Sequence, residues 1–485
     1  MTGGIQHTAF LNCARGSPLT LGSHRTIAQI NSSYALGAIP VKADYIAVAD
    51  RLAADIAAGR LQAGERLPPQ RDFAYRQGIA VSTASRVYGE LVRRGLVSGE
   101  VGRGTFVRVK SSPARMPLVE PTAAPIDLEL IFPVLPEHGA VLAQALSEIA
   151  HAPTFAEALR PIGSGGTLAA REAATSLLSR ADWRPAPESI VFTGNGRQAI
   201  AAAIASLARP GDRVGVEALT YPVVKGLAAR LGITLVPLAI DDQGLVPDAI
   251  TSAHRTQHLA AVYLQPSLHS PTGATMSTAR RNDVVRALRE ANLVAVEDGV
   301  YSFLTDDTPI AALAPERVIY VDSLSKRIAP GLTLGLIAGP TELAGRLASA
   351  VRSGAWSASG LPVAAGAHWM ANHRSHAIVV AKRADARARQ AIAREVFQEF
   401  GIKGDSRAYH LWLPLPEPWR AETFVAAALR LGIALTPGSA FAVTPGHAPS
   451  AVRLALASPE QSVLVQALRT LRDLLLGHLE TNPTE

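Results

Sequence analysis

The run 317–335, RVIYVDSLSKRIAPGLTLG, sets a single lysine, Lys326, in a turn of small hydroxyls just after the apolar stretch Val318 to Val321. Partial burial beyond a strand end lowers a lysine's pKa and frees its amine to attack an aldehyde, forming a Schiff base. Ser323 and Ser325 in the same turn can donate to a phosphate. Taken alone, S-x-S-K is an ordinary surface turn; further stretches supply partners. TGNGRQ, 193–198, follows an apolar run and opens a helical one, so the amides around Asn195, Gly196 and Arg197 suit a phosphate. VEDGVY, 296–301, puts Asp298 directly after a strand-like run and Tyr301 three residues on. A carboxylate there can keep a pyridinium nitrogen protonated, and the phenol can hydrogen-bond a ring oxygen. Tyr221 in TYP can stack on an aromatic group or fill core, and SPTG, 270–273, makes a turn at Ser270. Arg453 lies within the apolar AVRLALA and needs an anionic partner, either a carboxylate held bidentate or an internal salt bridge.

These residues need strand ends to sit on. Apolar runs at 190–192, 213–216, 259–264, 293–296 and 318–321 alternate with Ala- and Leu-rich helical stretches such as 197–208 and 278–291. The alternation predicts a mostly parallel sheet with helices on both faces and a site at the strand C-terminal ends. From about residue 360 the rhythm changes. Helices to about 398, the strand-like YHLWLPL, a helix near 421–431, and then ALTPGSAF and AVRLALA predict a smaller α+β lobe. The expected limits are 127–480 for the whole domain, with a large lobe over about 127–355 and a small one over about 356–480. Residues 111–126, rich in Pro, Ala and Ser, read as a tether.

Charge sets the N-terminal part apart. Residues 60–110 hold ten Lys/Arg against four Asp/Glu, most of the net +7 of the 485-residue chain, and this bias points to nucleic acid. Within 41–110, Ile46, Ala49, Leu52, Ala53 and Ile56 mark a first helix stopped by Gly59. A second helix, Gln70 to Arg76, ends at Gly78. A third, capped by Ser82, runs to Arg94 with Ala84, Val87, Leu91 and Val92 inward, and Gly95 closes it. LVSGEVGRGTFVR, 96–108, reads as two short strands. Three helices and a hairpin make a winged helix-turn-helix. Thr83, Ser85 and Arg86 open the third helix and would enter a major groove; Arg71 and Arg76 suit phosphates, and Arg103 at the wing tip a minor groove. Residues 1–40 carry no acid and only Arg15 and Arg25 as bases; they read as a flexible leader with no assigned function. Cys13 is the single cysteine, so no intramolecular disulfide or cysteine-based metal site is expected, and no apolar run is long enough for a membrane span. A cytoplasmic protein is the expectation.

GRLQAGERLPPQRDFA, STASRVYGEL and RRGLVSGEVGRGTFV resemble the DNA-binding domain of the GntR family of bacterial regulators. Residues 127–480, with the stretches above in that order, resemble the fold-type-I aminotransferases that use pyridoxal 5′-phosphate (PLP). The pairing of the two is the layout of the MocR subfamily, which the chain after residue 40 resembles. By that likeness, Lys326 would form the internal aldimine and Asp298 would contact the pyridine nitrogen. Tyr301, with Ser270, would lie by the 3′ oxygen, and Tyr221 would stack. Asn195, Gly196, Arg197 and Ser323 would hold the phosphate, and Arg453 would take an effector's carboxylate. The likeness implies a homodimer that binds double-stranded DNA and senses an amino acid or amine. A working aminotransferase with a DNA-binding appendage is the alternative, and a cofactor-free dimerisation scaffold a third. Four positions depart from the pattern: Ala80-Val81 replace a Ser-Arg pair, Thr333 an arginine that clamps the phosphate, Ser270 an asparagine, and Pro161 a tyrosine that reaches the partner subunit. Arg197 would then supply the missing positive charge.

Overall fold

Residues 45–57, 60–61, 65–93, 96–100, 104–107, 124–135, 138–180, 183–444 and 448–477 are described by a computed structural model. They fall into two compact units, one within 1–114 and one within 115–485. The leader, Cys13, Gly59, Arg94, Gly95, Arg103 at the wing tip and tether residues 111–123 lie outside the described residues.

In the first unit the apolar spacing builds helices Tyr45–Ala57, Gln70–Gln77 and Val81–Arg93. They close on Val48, Ala49, Ile56, Phe73, Val87 and Leu91. Gly78 stops the second helix in the left-handed region, φ 63°, and its N–H bonds back to Ala74 and Tyr75. The third helix departs from expectation at both faces. Its first turn closes on the Ala80 carbonyl, reached by the N–H groups of Thr83 and Ala84, so Ser82 lies inside the turn and does not cap it. Val92 is 49 % exposed. The inward stripe runs 84, 87, 88, 91, and position 92 is turned about 100° off it. Tyr88 fills the place instead and donates its phenol to the Pro68 carbonyl at 2.6 Å. The wing is the antiparallel pair Val97–Glu100 and Gly104–Val107. The segment at Glu65–Leu67 laces on as a third ribbon: Leu67 N–H bonds Thr105 O and Val107 N–H bonds Glu65 O.

The second unit is built on a seven-stranded sheet. In spatial order its strands are Ile190–Thr193, Gly335–Ala338, Val318–Ser323, Ala295–Asp298, Ala261–Leu264, Arg213–Glu217 and Thr234–Leu238. All run parallel except Gly335–Ala338, which is antiparallel to both neighbours. Two of these strands, 234–238 and 335–338, add to the five expected from apolar runs. Alanines 199 and 201–203 let helix Gly196–Leu207 lie close on the sheet, all of them buried. The smaller α+β lobe joins His410–Pro414, Ala451–Ala455 and Thr436–Pro437 into an antiparallel sheet under helices Ala421–Arg430 and Gln461–Leu475. The chain enters this lobe early. Ile126–Asp127 pairs with Ile433–Ala434, and Leu128 joins the core of Phe397, Phe424 and Leu454. Helix Gly360–Ala371 packs with the large sheet's core through Val363 and Trp369. No helix among the described residues is long and apolar enough to cross a membrane.

Candidate functional site

Parallel strands release their last residues along one edge, and the register puts the predicted residues there. Thr193, Gly335 and Ser323 lie side by side across three strands. Asp298, paired with Val321, is the last residue of its own strand rather than the first beyond it. Ser323 caps the four-residue helix Leu324–Arg327 by accepting from Ser325 N–H, and this short helix carries Lys326. Asn195 caps helix Gly196–Leu207 in the same way, its side-chain oxygen taking Gln198 N–H at 3.0 Å. Gly196 faces Ser323: a Cβ there would meet the serine's Cβ at 3.0 Å.

Lys326 sits among cations and rings. Its Nζ donates to the Ile131 carbonyl and lies 3.6 Å from the Phe132 ring centre and 5.7 Å from that of Tyr301. Burial drives its pKa well below that of a free lysine. The positive charges of Arg453 and Arg197 push the same way, and Asp298 pulls weakly back. Burial raises the Asp298 carboxyl, opposed by hydrogen bonds from Tyr263 (2.6 Å), Gln265 Nε2 (2.9 Å) and the Val300 N–H (3.2 Å). Tyr301 is buried, and burial raises its phenol. Burial also raises the phenol of Tyr221, which the Arg197 guanidinium, hydrogen-bonded to it, counteracts. Arg453 is buried, which lowers its pKa; Tyr301, Tyr221, Glu129 and Asp127 offset that cost. One nitrogen donates to Glu129 O and to Thr436 Oγ1, the guanidinium faces Phe441 at 5.1 Å, and its Nε has no partner.

Two departures acquire structural roles. Thr333 donates to Gly194 O at 3.1 Å and accepts from Ser325 Oγ at 3.0 Å, tying the Gly194 turn to the lysine turn. Ser270 is buried, its N–H on Gln265 Oε1 and its Oγ without a partner. Pro161 is exposed.

Sequence reasoning missed several groups. Tyr263 and Gln265, at the end of strand Ala261–Leu264, hold Asp298. A tyrosine in a fully buried strand needs a partner for its hydroxyl, and that was the available signal. His269 bonds Leu219 O and sits 3.2 Å from the Glu217 carboxylate, with both side chains buried. His410 Nε2 donates to His269 O at 3.0 Å in that segment, and burial takes its pKa down to about 3. Lys382, fully buried, donates to the carbonyls of Lys326 (3.0 Å) and Ile328 (2.7 Å), and burial lowers it to about 7.

On the winged helix, Arg71, Arg76, Ser85 and Arg86 are exposed and Thr83 is half-buried. They share the second and third helices with Tyr75, which is 90 % exposed.

A desolvated lysine at the edge of an α/β sheet, facing a hydrogen-bonded buried carboxylate, defines an aminotransferase-type site, here in a chain that also carries a winged helix. Residues 138–471 match aminotransferase class I and II, and residues 44–107 match the bacterial regulatory proteins of the gntR family. The chain belongs to the aminotransferase class I and II family and, with its GntR domain, to the MocR subfamily of regulators. It is 30 % identical over 436 residues to the HTH-type transcriptional regulator YdeF of Bacillus subtilis, spanning 89 % of this chain and 94 % of that one. It is 25 % identical to the vitamin B6 salvage pathway transcriptional repressor PtsJ of Salmonella typhimurium, over 82 % of this chain and 91 % of the other. Among solved structures its fold is similar to an archaeal alanine:glyoxylate aminotransferase, with TM-score 0.67 and 20 % identity over 81 % of this chain and 95 % of that one. It is also similar to LysN, the α-aminoadipate aminotransferase of Thermus thermophilus, with TM-score 0.65 and 22 % identity over 73 % and 92 %. Aminotransferases of this fold generally depend on PLP.

Proposed function

We propose that this chain is a DNA-binding transcriptional regulator whose aminotransferase-like unit holds PLP at Lys326 and senses an amino acid or amine. The observation that carries the reading is the convergence on Lys326 of Asp298, Arg197 and Arg453 at one sheet edge.

The residues present fit the cofactor. Ser270 Oγ and Arg453 Nε are buried polar atoms without partners; the Gly194 N–H is taken by Trp356 O, which leaves the amides of residues 195–197, beside Ser323, to a phosphate. When bound, PLP supplies an aldehyde reactive toward primary amines and an electron-withdrawing ring. The chain's own groups do the rest. Burial lowers the Lys326 pKa and so favours the neutral amine, whose lone pair is free to react. Tyr263, Gln265 and the Val300 N–H hold the Asp298 carboxyl in place, where it would fix a proton on a ring nitrogen. Arg197 and the amides of 195–197 would take the phosphate, with Ser323 and without an arginine at Thr333. Tyr221 would cover the ring face, and Tyr301 and Ser270 would bond its oxygen. Arg453 would take an effector's carboxylate, trading the Glu129 carbonyl for two charge-assisted bonds. Arg71 and Arg76 would lie on phosphates and Thr83, Ser85 and Arg86 at base edges, in a homodimer on paired half-sites.

The test is genome-wide binding with and without PLP, followed by operator binding of wild type and Lys326→Ala. Borohydride should fix a pyridoxyl label on Lys326 in wild type only, and PLP should alter operator affinity in wild type only. A label and a ligand response undiminished in Lys326→Ala would sink the proposal. A second reading, a working aminotransferase, is favoured by the joint presence of Lys326, Asp298 and Arg453. Multiple turnovers with an amino donor and a keto acid would establish it.

A further inference from the structure

The stretch Ile126–Phe132 is held in two different ways along its length. Its first half is locked into the smaller lobe by backbone: Ile126 N–H on Gly432 O (3.1 Å), Leu128 N–H on Ala434 O (3.0 Å), and Ala455 N–H on Leu128 O (2.8 Å). Asp127 then turns the chain, its carboxylate accepting the N–H groups of Glu129 (2.7 Å) and Leu130 (3.0 Å). Beyond the turn the carbonyls are taken by side chains. Arg453 donates to Glu129 O, Ser458 Oγ to Leu130 O at 2.9 Å, and Lys326 Nζ to Ile131 O. Phe132 lays its ring 3.6 Å from the same Nζ.

Two of those three donors are the groups to which a cofactor aldehyde and an effector carboxylate are assigned above. Their chemistry is exclusive. A neutral amine has two N–H donors; condensation with an aldehyde forms a C=N bond, expels water and removes both hydrogens, and even a reprotonated nitrogen keeps only one. Ile131 O then loses the free amine as its donor, and the Nζ that faced the Phe132 ring becomes part of the C=N bond. A carboxylate bidentate on Arg453 competes in the same way with Glu129 O.

We propose that Glu129–Phe132 is a ligand-released latch, with Phe132 part of the binding site as the ring over the reacting amine. The inference rests on the regulator reading and names how that site is read out. An aldehyde on Lys326 removes one anchor; an effector amine that takes over the aldehyde expels Lys326 as a free amine able to return to Ile131 O, while the effector's carboxylate on Arg453 removes the other. An α-amino acid therefore frees the Glu129 end of the segment, whereas an amine lacking a carboxylate lets both ends close again. In the chain, residues 108–123 precede the anchored Ile126–Leu128, and the latch follows directly after it.

Hydrogen exchange on the full chain tests it, following peptides within 126–135 for protein alone, with PLP, and with PLP plus α-amino acids or simple amines, beside binding to an operator fragment. Exchange at Glu129–Phe132 should rise at least about fivefold with PLP, stay raised with an α-amino acid and fall back with a simple amine, while Ile126–Leu128 stays slow throughout. Lys326→Ala should show no rise with PLP. Phe132→Ala and the bulk-retaining Phe132→Leu should blunt the operator response, and a response equal to wild type in both removes Phe132 from the latch. Operator binding that responds to ligand with exchange at 129–132 unchanged overturns the latch and leaves the regulator reading standing. Operator binding indifferent to PLP in wild type overturns that reading, and the latch with it.

Discussion

Replacing Lys382 with methionine isolates one buried amine and carries a pH signature that packing alone cannot imitate. Lys382 is fully buried on helix His373–Val396 and bonds two carbonyls, those of Lys326 and Ile328. Two acceptors match the two N–H groups of a neutral amine. Other charges face it from each neighbouring element: Arg327 beside Asp322 on the lysine turn, and Asp385 one helical turn on, itself bound to Arg389 and Tyr409. Burial, with Arg327 adding to it, brings the pKa from 10.5 to about 7. The folded value lies below the unfolded one, so between those limits the unfolded chain holds a proton that the folded chain has shed. Stability must therefore rise with pH through that window. At about 1.36 kcal/mol per unit of displacement, raising the pH from about 7 to about 9 should stabilise wild type over Lys382→Met by about 2 kcal/mol. All five tryptophans, at 183, 356, 369, 412 and 419, lie in the second unit, so tryptophan fluorescence in denaturant follows that unit alone. Other titrating groups are common to both proteins and cancel in the difference, apart from the weak coupling of Lys326 to Lys382. A difference in unfolding free energy that stays flat from pH 7 to 9 would refute a neutral, carbonyl-bound Lys382.

Three further outcomes follow from the site. Reductive methylation of the chain's six lysines, followed by peptide mass spectrometry, should show the labelling rate of Lys326 levelling off well below the ~10.4 of a free lysine. A rate still climbing at pH 10 contradicts its desolvation. Arg197→Ala should weaken PLP retention by on the order of 2 kcal/mol, roughly thirtyfold, measured by dialysis and absorbance; retention equal to wild type discards Arg197 as the replacement charge. Gly335→Ala should cost about 1–3 kcal/mol in the same fluorescence titration, because its methyl would run into Thr193 Oγ1 and the Asn195 carbonyl. An unchanged midpoint would mean that the two turns are not packed as described.

The placement and burial of Lys326, Asp298 and Arg453, not their roles, were legible because each stands at a fixed place relative to an apolar run. Tyr263, Gln265 and Lys382 were not. Their partners lie 35, 33 and 56 residues away in the chain, and only the sheet order brings them together. Strand 234–238 contains Pro237, which argues against a central strand; it is tolerated because the strand lies at the sheet edge. Strand 335–338 is four residues long behind a Pro-Gly turn, too short for periodicity to declare it. In the winged helix the misplaced Val92 shows the limit of reading faces by spacing, since one position separates an inward residue from an exposed one. The four positions that depart from the family pattern were visible as departures. What Thr333 does instead, bridging two turns, needed coordinates.

The reversed strand Gly335–Ala338 begins at the very edge where Val318–Ser323 ends. Only eleven residues, 324–334, separate the two strands, and they carry Lys326 at one end and Thr333 at the other. A hairpin so short has no slack: adding or removing one residue would turn either the lysine or Gly335 away from its neighbour, and with it the contact to Thr193. Lineages on this scaffold can therefore retune their grip on a ligand by exchanging side chains within the hairpin, as threonine for arginine here, while its length stays fixed.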